Sequence, residues 1–203
     1  MTAMDNTINH DHHMDIEKAI DERFTFGFWI YLLTDVLLFG AFFLTYSVLQ
    51  KATYNTPGPA EIFSLPFVAV ETAILLTSSF TFGLVMYSLQ NKSKTQALLW
   101  MSVTFLLGAS FIGMEYYEFT HLIHNGHGPQ ANAFLSSFFG LVGLHGVHVS
   151  LGLVWLGLMI YTLMTRGITP MVARKIACLS LFWHFLDVIW IFVFTFVYLM
   201  GAV

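Results

Sequence analysis

The sequence predicts an all-α membrane protein built as a bundle of five transmembrane helices. Only 10% of its 203 residues are charged and 57% are hydrophobic, whereas soluble domains carry about 25% charged residues. The mean hydropathy is +0.71. The apolar residues gather into five runs, each with the roughly 20 residues that a helix needs to cross a bilayer. So little polar surface cannot cover a globule, and lipid is therefore the expected solvent.

The predicted helices are separated by short segments of turn-forming or basic residues. Tyr54–Pro59 and His124–Pro129 both combine glycine with proline. We predict a polar, partly disordered cytoplasmic tail at residues 1–24 and a single transmembrane domain at residues 25–203. The helices of this domain are expected at residues 26–49, 65–90, 97–120, 133–164 and 173–202.

The basic residues predict how the bundle is oriented in the membrane. Seven of the eight Lys and Arg residues fall on the side shared by the N-terminus, the second loop and the fourth loop, and only Lys51 falls on the other side. Cytoplasmic loops carry the excess of Lys and Arg in membrane proteins. We therefore expect a cytoplasmic N-terminus and a periplasmic C-terminus.

The composition also narrows the possible functions. Cys178 is the only cysteine, so an intrachain disulfide is impossible. The sequence has no stripe of basic residues of the kind that would indicate a nucleic-acid partner. The N-terminal residues lack the short apolar run of a signal peptide, so the first helix is expected to stay as an anchor. The loops are too short for a catalytic domain outside the membrane, which places the function within the bilayer or with a partner.

Ionisable residues interrupt the predicted spans at several depths. A charged group at the bilayer centre costs several kcal/mol, so these side chains should face the bundle interior and pair there. We expect Glu118 near the interface, and we expect Glu71 to pair with a group on the fourth helix, where His145 is the nearest in depth. The predicted buried polar network comprises Asp35, Glu71, Glu115, His145, His148, His184 and Asp187.

Several groups of histidines and acidic residues are also compatible with other functions. His145 or His148 against His184 could ligate a haem b, which would make the chain a membrane haem anchor. Glu71, Glu115 and Asp187 could serve a small proton-coupled carrier, although no internal repeat supports a transporter. Hydrogen bonding across helices is the commoner role for such residues, and we expect no metal on this chain. Three glycines of the fourth helix are expected to let a neighbouring helix pack closely, either in this chain or in another subunit. They are Gly140, Gly143 and Gly146.

Four motifs together resemble subunit III of haem–copper terminal oxidases. His145-Gly-Val-His-Val-Ser-Leu-Gly152 and Trp183-His-Phe-Leu-Asp-Val-Ile-Trp190 resemble the family signature. Glu71-Thr-Ala-Ile-Leu-Leu-Thr-Ser-Ser79 and Gly108-Ala-Ser-Phe-Ile-Gly-Met-Glu115 are similar to its second and third signatures. They occur in the family order over residues 25–203.

Mitochondrial-type members have seven helices, and this chain lacks the first two. Its histidine-bearing tail, followed by Phe26-Gly-Phe-Trp-Ile-Tyr-Leu, is similar to subunit III of bacterial cytochrome bo-type ubiquinol oxidases, in which subunit I supplies the missing helices. A subunit III of the related menaquinol or cytochrome c oxidases is the alternative that these motifs leave.

The resemblance implies a function that spacing alone does not. It implies a non-catalytic accessory subunit of an oxygen-reducing proton pump in the bacterial inner membrane, with subunit I as main partner and further subunits beside it. Haems and copper are expected on subunit I, and none on this chain. The resemblance also implies bound phospholipid and support of proton uptake and durable turnover. The buried polar residues would then be structural, with a possible link to protons or lipid.

Overall fold

The computed structural model describes the backbone of residues 2–52 and 64–201 and the side chains from residue 23 onward within these ranges. Over this part of the chain the fold is entirely helical. Five of its helices are long and apolar enough to span a membrane, which confirms the predicted fold class. They are α1 (Thr2–Leu49), α2 (Leu65–Gln90), α3 (Lys94–His124), α4 (Ala133–Arg166) and α5 (Pro170–Val193), which continues as a π-helical segment, Phe194–Leu199.

Several observed helices are longer than the predicted spans, but the fifth, predicted to end at residue 202, ends at Leu199. α2 has the predicted bounds, whereas α3 begins earlier and ends later than residues 97–120. α1 begins at Thr2, so the backbone of the polar segment before residue 23 is helical. Apolarity marks only the part of a helix that lies in lipid, which explains the longer elements. The division at residue 24 stays a prediction, and Tyr54–Pro59 lies outside the described residues.

Local sequence signals fix where the helices end. Asn132 caps α4 by accepting a hydrogen bond from the Leu135 N–H at 2.6 Å, and Thr169 caps α5 through the Val172 N–H at 3.3 Å. The last residue of α4 is Arg166, and Gly167 follows it with a φ of 70°, a backbone conformation that favours glycine. The Lys94 ammonium donates to the Met164 carbonyl at 2.9 Å and so satisfies the last turn of α4 from a neighbouring helix.

The chain forms two compact units, residues 1–38 and 39–203. In the second unit α2 packs on α3, α3 on α4, α4 on α5, and α5 back on α2. These contacts close a ring of helices. The last turns of α1, from Phe39 onward, belong to the same unit and place Phe43 against Phe192 and Phe196 of α5.

Large aromatic side chains of α5 fill the centre of this ring. Trp183, Trp190 and Tyr198 are each at most 1% exposed. The Trp183 ring fits because two facing residues are glycines. A Cβ at Gly108 would lie 2.8 Å from Trp183 Cη2, and one at Gly152 would lie 3.2 Å from its Cζ3. The aromatic core therefore depends on small residues in α3 and α4.

The glycines of α4 that we expected to permit close helix approach each face a bulky side chain of this chain. Gly140 faces Phe42 of α1, Gly143 faces Phe119 of α3, and Gly146 faces the Glu115 carboxyl. The close packing at these positions is therefore internal to the chain, and the positions need no partner subunit to explain them.

Replacing Gly108 with alanine tests this packing. Gly108→Ala should destabilise the bundle by about 1–3 kcal/mol, because the added methyl overlaps an indole that is held on all sides. Gly113→Ala in the same helix is the matched control, since nothing lies within 4 Å of its Cβ position. Denaturant titration of the purified chain in detergent micelles compares the two. Equal stability of the two variants would contradict the account of the core.

Candidate functional site: a polar core inside the bundle

Three carboxyl groups, one on α2 and two on α3, lie near one another in the bundle. Glu71 is fully buried, Glu115 is 4% exposed and Glu118 is 9% exposed. They lie close enough to interact electrostatically with one another. Among the described residues, neither oxygen of Glu71 or of Glu115 has a hydrogen-bond partner. Glu118, which we expected nearer the interface, is thus a member of this buried cluster.

The π-helical segment of α5 supplies the partner of Glu118. The Met200 N–H bonds to the Thr195 carbonyl five residues earlier at 2.9 Å, which marks the wider turn. The turn places Tyr198 in the core, and its hydroxyl donates to Glu118 Oε2 at 3.1 Å. A wider helical turn thus connects α5 to the carboxyl cluster.

His145 does not pair with Glu71, and this expectation is wrong. Neither ring nitrogen of His145 has a hydrogen-bond partner in the described part of the chain. Its imidazole is fully buried among aromatic rings. The ring centroids of Trp190, Phe111 and Phe39 lie 5.0, 5.9 and 6.4 Å away. Similar depth along two helices does not make their side chains face each other, and Trp190 occupies the position beside His145 instead.

His148 lies one turn farther along α4 and is bound to its own helix. Its Nδ1 lies 2.8 Å from the Leu144 carbonyl oxygen, so this nitrogen carries the proton that is donated. The imidazole also packs against Phe39, with ring centroids 5.2 Å apart. His145 and His148 therefore share a face of α4 as predicted, but in different environments.

A second polar group connects α2 with α5. Ser79 Oγ and His184 Nδ1 are 2.5 Å apart. Asp187 is 4% exposed, and its carboxyl lies near Ser79, although neither of its oxygens has a hydrogen bond to a described residue. The arrangement is not a catalytic triad, because the imidazole is not held between the hydroxyl and the carboxyl.

The indoles of α5 make two further bonds to α2. Trp183 Nε1 donates to Ser78 Oγ at 3.0 Å, and Trp190 Nε1 donates to Thr72 Oγ1 at 3.0 Å. These donors lie deep in an apolar bundle, where an unmade hydrogen bond is costly. The bonds therefore fix the rotation of α5 about its axis relative to α2.

Asp35 belongs to the first unit. Its side chain is 6% exposed, and the Tyr31 hydroxyl one turn earlier on α1 interacts with it. The interaction lies within a single helix. It places a buried carboxyl in the first span, as the sequence predicts.

The three histidines that could ligate a haem lie in different surroundings within the bundle. A bis-histidine haem is ligated by one ring nitrogen from each of two imidazoles. Aromatic rings pack around His145, Nδ1 of His148 donates to its own helix, and Nδ1 of His184 is engaged by Ser79. In the described part of the chain, no group of three or more His, Cys, Asp or Glu side chains is placed to hold a metal ion. The chemistry of this core is hydrogen bonding and packing.

Sequence reasoning missed several members of the core. Ser78, Ser79 and Thr72 are ordinary residues of a membrane helix, which most often bond to their own backbone. Tyr198 was missed because a regular helical register does not predict a π-helical turn. An available signal was the pair of tryptophans in α5, since a buried indole N–H needs an acceptor.

This fold defines a multi-pass helical membrane protein with a buried polar core, and sequence comparison places it in a family. A model of the family described as cytochrome c oxidase subunit III matches residues 2–202. The chain is 55% identical to cytochrome bo(3) ubiquinol oxidase subunit 3 of Pseudomonas aeruginosa over 195 residues, 96% of this chain and 92% of the relative.

Two relatives carry other names. The quinol oxidase subunit 3 of Bacillus subtilis is 41% identical over 193 residues, 95% of each chain. The cytochrome c oxidase subunit 3 of Bacillus sp. (strain PS3) is 43% identical over 177 residues, 87% of this chain and 86% of the relative.

The chain belongs to the cytochrome c oxidase subunit III family. It is a subunit III of a quinol or cytochrome oxidase of the haem–copper family, and hence one part of an oxidase complex with other subunits. The resemblance predicted from its motifs is confirmed.

A hydroxyl deletion tests the bond between α5 and α2. Thr72→Val removes the acceptor of the Trp190 indole and should lower the free energy of unfolding by about 1–3 kcal/mol, because a buried N–H loses its partner. Thr77→Val is the control, since Thr77 Oγ1 is exposed and bonds to Ala73 of its own helix. Denaturant titrations in detergent micelles measure both. Equal losses for the two valine variants would show that the indole bond is not what stabilises the pair of helices.

Proposed function

We propose that this chain is the non-catalytic subunit III of a quinol-oxidising, oxygen-reducing, proton-pumping terminal oxidase of the bacterial inner membrane. It packs on subunit I, which carries the haems and copper, and contacts further subunits. It holds phospholipid and supports stable turnover and proton uptake. The observation that carries the proposal is the 55% identity to a bo(3) ubiquinol oxidase subunit over 96% of the chain.

The relatives favour quinol over cytochrome c as electron donor of the complex. Two relatives named bo(3) ubiquinol oxidase subunit 3 are 55% and 54% identical and another is 43% identical, and a relative named cytochrome c oxidase subunit 3 is 43% identical. The non-catalytic role is supported by the interior of the bundle. Its histidines are enclosed by aromatic rings or engaged by hydrogen bonds within the chain.

The α2–α5 face is the surface that we assign to subunit I. Ser79 and His184 are only partly buried in the isolated chain, although His184 lies near the middle of the span Pro170–Leu199. Polar groups at that depth are costly against lipid, and they normally face protein or water. A covering subunit would shield the Ser79–His184 pair and offer a partner to the Asp187 carboxyl. Val188, one turn beyond His184, is 50% exposed on this face.

Site-specific photocrosslinking tests this assignment. Benzoylphenylalanine in place of Val188 should crosslink to the haem-carrying subunit of the intact complex on irradiation. The control places it at Leu158 of α4, which is similarly exposed at 57% but far along the chain from the polar pair. We expect no crosslink to the haem-carrying subunit there. A crosslink to that subunit from Leu158 and none from Val188, mapped by mass spectrometry, would contradict the assignment and place the interface on α4.

A further inference from the structure

A groove between α3 and α4 opens onto the outside of the helical ring. Its volume is about 350 Å³. At its rim Tyr116 is 71% exposed and Val147 is 57% exposed, so its mouth faces the surroundings of the bundle. We call it the α3–α4 groove. Apart from the Glu115 carboxyl and the hydroxyls of Tyr116 and Ser150 its walls are apolar, and they include Ile112, Phe119, Val147, Leu151 and Val154.

The carboxyl in the groove wall is that of Glu115. The side chain is 4% exposed, and neither oxygen has a hydrogen-bond partner among the described residues. It lies over Gly146, where a Cβ would come within 2.5 Å of Oε1. From Glu115 to the end of α3 at His124 the helix rises by about 14 Å, so this acceptor lies well inside the membrane-spanning part. An apolar groove with a single unpartnered acceptor calls for a ligand with an apolar body and a donor.

A transmembrane helix of another subunit does not fit these observations well. Helices approach each other closely over glycines whose surfaces are free. Here the surface of Gly143 is covered by Phe119 and that of Gly146 by Glu115. A lipid acyl chain would fill the apolar walls but would leave the carboxyl without a donor. The occupant therefore needs a hydrogen-bond donor at the depth of Glu115.

The shape of the groove agrees with a ring that carries a short length of chain. Along α4 it extends from Gly143 to Val154, a rise of about 16 Å. Tyr116 and Phe119 offer aromatic surfaces near the carboxyl, against which a flat ring can pack. A membrane hydroquinone has such a ring, phenolic O–H donors and an apolar tail.

We propose that the α3–α4 groove binds the head group of a membrane quinol, with a phenolic O–H donating to the Glu115 carboxyl and the tail lying along α4. This rests on the proposed function, in which the complex works in a membrane that contains quinol. The site is a binding site only, and no electron transfer is assigned to it. It would hold quinol at the surface of the complex, apart from the oxidation site.

Photoaffinity labelling of the intact complex in lipid nanodiscs tests the proposal. The probe is an azido-ubiquinone with two isoprene units, reduced to the quinol before irradiation, and mass spectrometry locates the label. We expect labelling near Tyr116 and Val147 that excess unlabelled ubiquinol displaces. Val147→Trp fills the groove from its exposed rim, and Glu115→Leu removes the acceptor. Glu115→Leu should weaken the apparent affinity by about tenfold, as expected for one lost hydrogen bond to a buried group, and Val147→Trp should weaken it at least as much because the indole occupies the space of the ligand. Leu158→Trp, exposed on α4 beyond the groove, should leave the labelling unchanged.

The outcomes separate this proposal from the function on which it rests. Labelling that excess quinol does not displace, or that survives both groove variants, would mean partition into lipid and would overturn the site. Displacement by added phospholipid alone would assign the groove to acyl chains and overturn it equally. Quinol oxidation is measured on the same preparation. A complex that oxidises quinol with an unlabelled groove contradicts only the groove assignment, whereas a complex that oxidises cytochrome c and not quinol contradicts the proposed function.

Discussion

The bonds between α5 and α2 are the constraint on which the rest of this bundle depends. In lipid, apolar surface gives helices little reason to associate, so packing and interhelical hydrogen bonds must hold them together. Trp183 and Trp190 provide both, because each buries a large ring and donates its N–H to a hydroxyl of α2. Gly108 and Gly152 then make space for Trp183.

The buried polar groups of the bundle are of two kinds, those with a hydrogen-bond partner in the chain and those without one among the described residues. Indoles, hydroxyls and the Tyr198 phenol find partners within the chain, and they connect its helices. Three carboxyl groups, those of Glu71, Glu115 and Asp187, have no hydrogen bond to a described residue. Evolution can keep such groups in a membrane helix only where something offsets their cost. We propose that a partner subunit supplies this offset at Asp187 and a quinol supplies it at Glu115.

Much of the fold follows from composition, since length and apolarity define a membrane span with little help from tertiary contacts. The pairing of side chains inside the bundle does not follow in the same way. The positions of Glu71 and His145 along their helices predicted that the two side chains pair. The rotation of each helix about its axis decides which side chains face each other, and Trp190 lies beside His145 instead. The glycines of α4 were recognised as packing positions, but the sequence does not tell that Phe42, Phe119 and Glu115 cover them. Tyr198 reaches Glu118 through a π-helical turn, which no periodic pattern predicts.

In the proposed function the buried histidines of this chain are structural, and redox chemistry belongs to its partner subunits. An optical absorption spectrum, taken on the complex after a mild-detergent pull-down and again on the isolated subunit, tests it most directly. We predict haem bands in the complex, together with larger partner subunits, and none in the isolated chain. A haem b spectrum that persists in the isolated chain would make His145, His148 or His184 ligands and would contradict the account.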